Sequence, residues 1–249
     1  MREPRFTTVL NSSKNALLTP ANCILCDTNN SYNSMACVDC TKDLPWNTVY
    51  CNQCALPMDL LENTSDICSD CLQSSPLFSY SRTAFHYQFP IKQLIGAFKE
   101  QQNTLAGTLL SQCLVHQLLL DDSLLELPPE ILIPVPSHKS SVHKRGYNPA
   151  EVVAQKIGKG LSIPVAEHWI LKQKKSPKNQ KSLPAPQRKL NLQQAFTLSA
   201  QGLEQLHKFY RVAIIDDVMT TGSTANAMAS LLLGAGVREV IVWAIARTP

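Results

Sequence analysis

No stretch of this chain is apolar for long enough to cross a bilayer. The run Val240 to Ala246 is among the longest, far short of the roughly 20 residues a membrane helix needs. The opening MREPRFTTVLNSSKNALL lacks the apolar core of a signal peptide. No membrane insertion and a cytoplasmic location are therefore expected. Acidic residues are missing between Glu167 and Glu204, while Lys172, Lys174, Lys175, Lys178, Lys181, Arg188 and Lys189 fall in that interval. These cations are not interleaved with aromatics, so the stacking platform of a single-stranded nucleic-acid groove is weak there. Three readings of the 172–189 segment stay open: a lid that closes over an anionic substrate, a nucleic-acid contact, and a plain solvated loop. Charge is also short on one side of the chain. Residues 1 to 72 hold four Lys/Arg against eight Asp/Glu, and the remainder holds nineteen against eleven. Polyanion binding, where it occurs, belongs to the second part.

What is present falls into two signals. At 249 residues and 44% hydrophobic, the chain suits one large domain or a small one plus a medium one. The first signal is a cysteine array: Cys23/Cys26, Cys37/Cys40, Cys51/Cys54 and Cys68/Cys71 are four C-x-x-C pairs. Each pair suits a tight knuckle that puts two thiolates on one metal, and two knuckles complete a tetrahedral zinc site. Two structural zinc ions are expected. Disulfides need an oxidising compartment, and no targeting signal points to one; an iron–sulfur cluster is not excluded by the spacing alone. Sequential closure (Cys23, Cys26, Cys37, Cys40, then Cys51, Cys54, Cys68, Cys71) is favoured over cross-bracing. The segment has few apolar runs, so the metal would supply most of its folding energy, on the order of 10 kcal/mol per site. Four thiolates on zinc carry a net charge of about −2. The array therefore suits protein contact, or a cap on the second part, better than a DNA clamp.

The second signal is VAIIDDVMTTGST, Val212 to Thr224. Val212 to Ile215 suit a short buried parallel strand, with Asp216 and Asp217 where it leaves the core. The turn Thr220, Thr221, Gly222, Ser223, Thr224 follows. A helix is then expected from Ala225 to Leu233, stopped by Gly234 and Gly236. Loop N–H groups and a helix N-terminus attract a phosphate, and the two carboxylates can accept hydrogen bonds from sugar hydroxyls.

Between the signals, LQSSPLFSYS (72–81) reads as a linker. A strand over Arg82 to Tyr87 and helices over Ile91 to Glu100 and Leu105 to Leu120 follow; Cys113 and His116 read as core residues of the latter. ILIPVP (131–136) reads as a second buried strand. After it comes a basic loop, Ser137 to Tyr147, and a helix from Asn148 to about Lys159. Lys144, Arg145 and Gly146 are the anion candidates there: Arg145 through its planar fork, Gly146 through backbone access.

VAIIDDVMTTGST resembles the ribose-phosphate motif of the type I phosphoribosyltransferases. The resemblance implies that Asp216 and Asp217 hold the ribose hydroxyls of phosphoribosyl pyrophosphate (PRPP), that Thr220 to Thr224 hold its 5-phosphate, and that Lys144, Arg145 and Gly146 hold the pyrophosphate. With the four cysteine pairs, IPVP at 133–136, KRGYNPAE at 144–151, Gln180, Arg188, Asn191 and Phe196, the chain resembles the competence protein F (ComF) family. That implies an α/β type I phosphoribosyltransferase fold (a parallel sheet flanked by helices) preceded by a small double zinc ribbon. The expected division is a leader at 1–20, the ribbon at 21–74 and the phosphoribosyltransferase domain at 80–249. It also implies Mg²⁺-assisted transfer with Asp216 and Asp217 in the catalytic site, and a link to DNA uptake, natural transformation or use of imported DNA. Single-stranded DNA and DNA-processing proteins are the implied partners. The chain departs from the family at Pro149-Ala150, where Gln-Ala is common, and in carrying lysines over Leu171 to Gln180 where the family has arginines. A non-enzymatic PRPP-sensing adaptor is the rival reading.

Overall fold

A computed structural model describes residues 22–29, 35–59, 65–121, 124, 126–172 and 195–249. The leader and the basic stretch from Lys174 to Lys189 lie outside the described residues, and so does the choice among lid, nucleic-acid contact and solvated loop. The elements are α1 (Val38–Lys42), α2 (Ser69–Gln73), β1 (Ser81–His86), α3 (Ile91–Glu100), α4 (Thr104–Leu119), β2 (Ile131–Pro134) and α5 (Lys139–Arg145). They continue with α6 (Pro149–Leu161), β3 (Ile170–Lys172), β4 (Phe196–Leu198), α7 (Ala200–Gln205), β5 (Arg211–Met219), α8 (Ser223–Gly234) and β6 (Glu239–Arg247).

Strands β1, β6, β5 and β2, in that order, form a four-stranded sheet in which every pairing is parallel. Apolar runs such as Val212–Ile215 are what a parallel strand covered on both faces requires. Side chains alternate along the strand, so the run divides between two layers. Ala213 and Ile215 pack with Ile241, Trp243 and the helices α3, α4 and α6, through Phe98, Leu110, Leu114 and Ile157. Val212 and Ile214 pack with Val240, Val242, Met228 and Leu232 of α8, and Trp169 and Phe196. Each buried Val, Leu, Ile, Phe or Met among them contributes about 1.5–3 kcal/mol by leaving water. Gly107 lets α4 close on α3: a Cβ there would lie 2.5 Å from the Phe98 ring. Cys113 is fully buried in α4. This is the expected α/β architecture of a parallel sheet flanked by helices.

The cysteine-rich segment sits on the open edge of β1. The Asn47 N–H donates to the Ala84 carbonyl and the His86 N–H to the Pro45 carbonyl, both at 2.9 Å, and Trp46 bridges to Phe85 with ring centroids 4.5 Å apart. The buried Asn47 amide also donates to Thr83 Oγ1 at 2.8 Å. An exposed sheet edge is thereby covered. The stretch read as a linker is packed as well: Phe78 is 2% exposed, because this aromatic among serines finds a place beside the start of α8.

Candidate anion site and cysteine centres

Strand β5 runs further than its apolar residues foretell. Pairing with β6 continues from Asp216 opposite Ala244 to Met219 opposite Arg247, so the acidic pair lies inside a strand and not beyond its end. On the other side β2 stops with Pro134 opposite Ile215. The two carboxylates thus sit where β5 outruns one neighbour and keeps the other. The Asp217 N–H donates to Asp216 Oδ1 at 2.8 Å, and the Val218 N–H to Asp217 Oδ1 at 2.7 Å. Lys99, at the end of α3, places Nζ 2.6 Å from Asp217 Oδ2. One cation therefore faces two carboxylates. Burial first, then the Asp217 carboxylate, pushes the Asp216 acid well above its usual range, against the pull of the Asp217 N–H and Lys99.

The turn after β5 is shaped by its glycine and its hydroxyls. Gly222 has φ +72° and a Cβ there would lie 3.0 Å from Met219 Cε, so glycine is needed both for the left-handed backbone and for the close approach. It precedes α8, whose first-turn N–H groups have no intrahelical acceptor. Thr221 and Ser223 share a hydroxyl hydrogen bond at 2.9 Å. Asp216, Met219, Thr220, Gly222 and Thr224 line a hollow of about 20 Å³. That is room for about one water. The expected helix over Ala225–Leu233 is present and begins earlier, at Ser223.

The expected basic loop differs from the structure. Ser137–Tyr147 contains a helix, α5, because His138 Nδ1 accepts the Ser140 N–H and Gly146 ends it at φ +81°. The Gly146 N–H donates to the Val142 carbonyl at 2.7 Å, so that N–H is already engaged, while the space around Gly146 is open. Arg145 Nη2 lies 2.7 Å from Glu100 Oε1, and Lys144 sits in the last turn of α5. Glu100 follows Lys99, so the end of α3 touches both the acidic pair and the basic helix. Neither Lys99 nor Glu100 stands out in the sequence: IKQLIGAFKE reads only as an amphipathic helix, with Ile91, Ile95 and Phe98 buried. Tyr147 hydroxyl donates to the Phe98 carbonyl, and Asn148 Nδ2 to Val135 O at 3.0 Å, which fixes the start of α6 against the end of β2.

The eight paired cysteines form two quartets, Cys23/Cys26/Cys37/Cys40 and Cys51/Cys54/Cys68/Cys71, each with sulfurs within 4.8 Å of one another. Closure is sequential. Cys26 and Cys37 sulfurs are 3.8 Å apart and Cys54 and Cys68 sulfurs 3.6 Å; Zn–S bonds of about 2.3 Å in a tetrahedron require about 3.8 Å. Backbone N–H groups point at sulfur, from Leu25 to Cys23 and Cys40 to Cys37 at 3.4 Å, and from Cys68 to Cys51 at 3.2 Å, as charged thiolates need. Thr28 holds the Cys26 thiol down at about 6. Burial works to raise Cys51, but the N–H groups of Cys68, Cys54 and Gln53 outweigh it and hold it at about 7. Burial pushes Cys54 up to about 11 and raises Cys40 and Cys71 further. Each quartet thus mixes easily ionised thiols with ones that keep a proton until a metal displaces it. Both fit structural zinc. No helix among the described residues is long and apolar enough to cross a membrane.

The double zinc ribbon domain family matches residues 15–72. Competence protein F of Haemophilus influenzae is 34% identical over 220 residues, covering 85% of this chain and 90% of that protein. The DNA utilization protein YhgH of Escherichia coli strain K12 is 30% identical over 216 residues, with the same shares of 85% and 90%. YhgH of Salmonella typhi is 29% identical over 215 residues. With both cysteine quartets and a parallel α/β sheet in place, and with similarity across 90% of competence protein F, the chain belongs to the competence protein F (ComF) family.

Proposed function

We propose that this chain binds PRPP and transfers its phosphoribosyl group to an acceptor, in DNA uptake or the use of imported DNA. One observation carries the reading: a strand–turn–helix presents two carboxylates, Asp216 and Asp217, which Lys99 from the end of α3 faces, next to a hydroxyl-rich turn at the start of α8. A sugar phosphate has the matching groups, hydroxyls for the acids and a dianion for the turn. Competence protein F and the DNA utilization proteins named above supply the biological setting. Single-stranded DNA and DNA-processing proteins are the partners in that setting, and the net positive second part of the chain suits a polyanion.

In this reading the turn at Thr220–Thr224 takes the 5-phosphate, and Asp216 and Asp217 take the ribose hydroxyls. Lys144 and Arg145 face the diphosphate once Arg145 leaves Glu100. The bond from the anomeric carbon to the diphosphate oxygen breaks, and a lone pair of the acceptor forms the new bond to that carbon. The protein contributes position and charge. One of the two carboxylates takes up the proton that the acceptor releases. Mg²⁺, for which the two carboxylates are suitable hard oxygen donors, supplies charge neutralisation on the diphosphate when bound.

A second reading, a PRPP-sensing adaptor without turnover, is favoured by one observation: Arg145 and the Gly146 N–H are both engaged within the protein. The assay that separates them measures PRPP binding by calorimetry and released pyrophosphate across nucleobases and single-stranded DNA. Binding with no turnover on any acceptor replaces the enzyme reading by the adaptor. Retained PRPP binding after Asp216→Asn with Asp217→Asn would falsify the site itself.

A further inference from the structure

The phosphate turn and the second cysteine quartet are tied together by one side chain. Arg247 ends β6 and is only 6% exposed. Its Nε donates to the carbonyl of Cys54 at 3.0 Å. Its Nη1 donates to the carbonyl of Thr220 and to Thr248, at 2.6 Å to the carbonyl and 3.4 Å to the hydroxyl. Every one of these acceptors is neutral, and no carboxylate pairs with Arg247 among the described residues. A buried guanidinium without an anion is destabilising. The group beside it is Cys54, one of four buried cysteines in the second quartet. Four thiolates on zinc leave a net charge of about −2 in this quartet, of the sign that the guanidinium lacks among its neutral oxygen partners.

The segment that leaves this quartet holds the turn from its other side. After Cys68 and Cys71 the chain runs to Leu77, whose N–H donates to Asn226 Oδ1 in the first turn of α8 at 2.6 Å. Phe78 follows, fully packed, with its ring 3.8 Å from the place of a Cβ on Gly222. The turn is thus clamped between the quartet's exit segment and the Arg247 guanidinium.

We propose that Arg247 is a positioning residue through which zinc in the Cys51–Cys54–Cys68–Cys71 quartet sets the anion affinity of the Thr220–Thr224 turn. This rests on the PRPP reading for the identity of the anion and not for the tie itself. Filled, the quartet fixes the Cys54 carbonyl and balances the guanidinium, so that the guanidinium holds Thr220 and orders the turn. Empty, it loses the charge and the knuckle geometry together. By linkage, an anion in the turn must then tighten zinc in this quartet by the same factor as zinc tightens the anion.

The test withdraws zinc stepwise from the full-length protein with a chelator. Freed thiols are mapped by alkylation and mass spectrometry while hydrogen exchange is followed at the amides of the turn and the first turn of α8. Emptying the second quartet is expected to speed exchange there and to weaken PRPP binding by roughly 5- to 150-fold; emptying the first quartet does neither. In Arg247→Met these amides exchange fast with both quartets filled, and emptying the second adds nothing. Arg247→Lys keeps the charge and loses the fork, gives an intermediate result, and decides the matter should Arg247→Met fail to fold. Unchanged exchange on emptying the second quartet overturns the coupling, as does an equal response to emptying either one. PRPP that fails to bind the zinc-filled wild type refutes the choice of anion, and the exchange result then judges the coupling alone.

Discussion

Replacing Asp216 by asparagine should stabilise the protein while abolishing PRPP binding. The reasoning starts from the charge count. Lys99 lies 2.6 Å from Asp217, and Asp216 is the second carboxylate of the pair. Near a protein surface, unit charges about 4 Å apart interact by about 4 kcal/mol; on Asp216 the Asp217 repulsion outweighs the pull of Lys99, and burial adds to it. The folded protein therefore binds the Asp216 proton more tightly than the unfolded chain, which releases it near 3.8. With more protons bound in the folded state, stability falls as pH rises from about that value to the raised folded pKa. Above that window the penalty is present in full. Asparagine removes both the titration and the penalty. Relieving such a conflict at a functional site commonly gains about 0.5–2 kcal/mol, and in a chain of this size each kcal/mol moves Tm by about 2–4 °C. Thermal unfolding of the zinc-loaded protein should show Tm raised at neutral pH and a flatter fall of Tm from mildly acidic to neutral pH. A Tm that drops at neutral pH, or an unchanged pH slope, would refute the argument, because it would mean that the ionised Asp216 is held by charges other than Lys99.

Lys99→Met acts in the opposite direction. It leaves Asp217, only 9% exposed, without its cation, and stability should fall by about 1–3 kcal/mol, read as a lower denaturant midpoint with an unchanged slope. Gly222→Ala forces a Cβ onto a backbone at φ +72° and to 3.0 Å from Met219 Cε. It should cost at least about 1 kcal/mol, and PRPP binding should fall more than that in calorimetry, since the turn itself is displaced. Metal analysis should give close to two zinc ions per chain. Acidification should release them by reprotonating the thiolates, and a chelator at neutral pH should remove most of the ribbon's folding energy, on the order of 10 kcal/mol per site, seen as faster proteolysis of residues 22–71.

The features legible in the sequence are those whose cause is local. C-x-x-C spacing defines a knuckle by itself, and Val212–Ile215 with the hydroxyl turn and the start of α8 follow one another along the chain. What the sequence hid depends on partners far away. The apolar pattern stops at Ile215, yet β5 continues to Met219 because β6 offers a ladder up to Arg247; tertiary pairing overrides the side-chain pattern. Ser137–Tyr147 looks like a loop for its serines and glycine, but His138 caps its start and Gly146 its end, which makes a short helix. Phe78 lies in a serine-rich stretch without apolar period, and only its place beside Gly222 gives it a role. Lys99 and Arg247 carry no motif, and their partners belong to other elements. Spacing also left the cysteine pairing open; the sulfur positions resolve it as sequential.

One helix end pairs with both parts of the candidate site. Lys99 satisfies Asp217, and the adjacent Glu100 satisfies Arg145. In the proposed reading PRPP must exchange both pairs: its ribose hydroxyls compete with Lys99 for Asp217, and its diphosphate competes with Glu100 for Arg145. The two exchanges are not independent, because Lys99 and Glu100 are consecutive residues in the last turn of α3, and that turn is tied down by the Tyr147 hydroxyl on the Phe98 carbonyl. Displacing Glu100 by a diphosphate loosens the same turn that presents Lys99. Opening one end of the site thus lowers the cost of opening the other, so PRPP, which reaches both, should bind more tightly than ribose 5-phosphate and pyrophosphate supplied as separate molecules can account for.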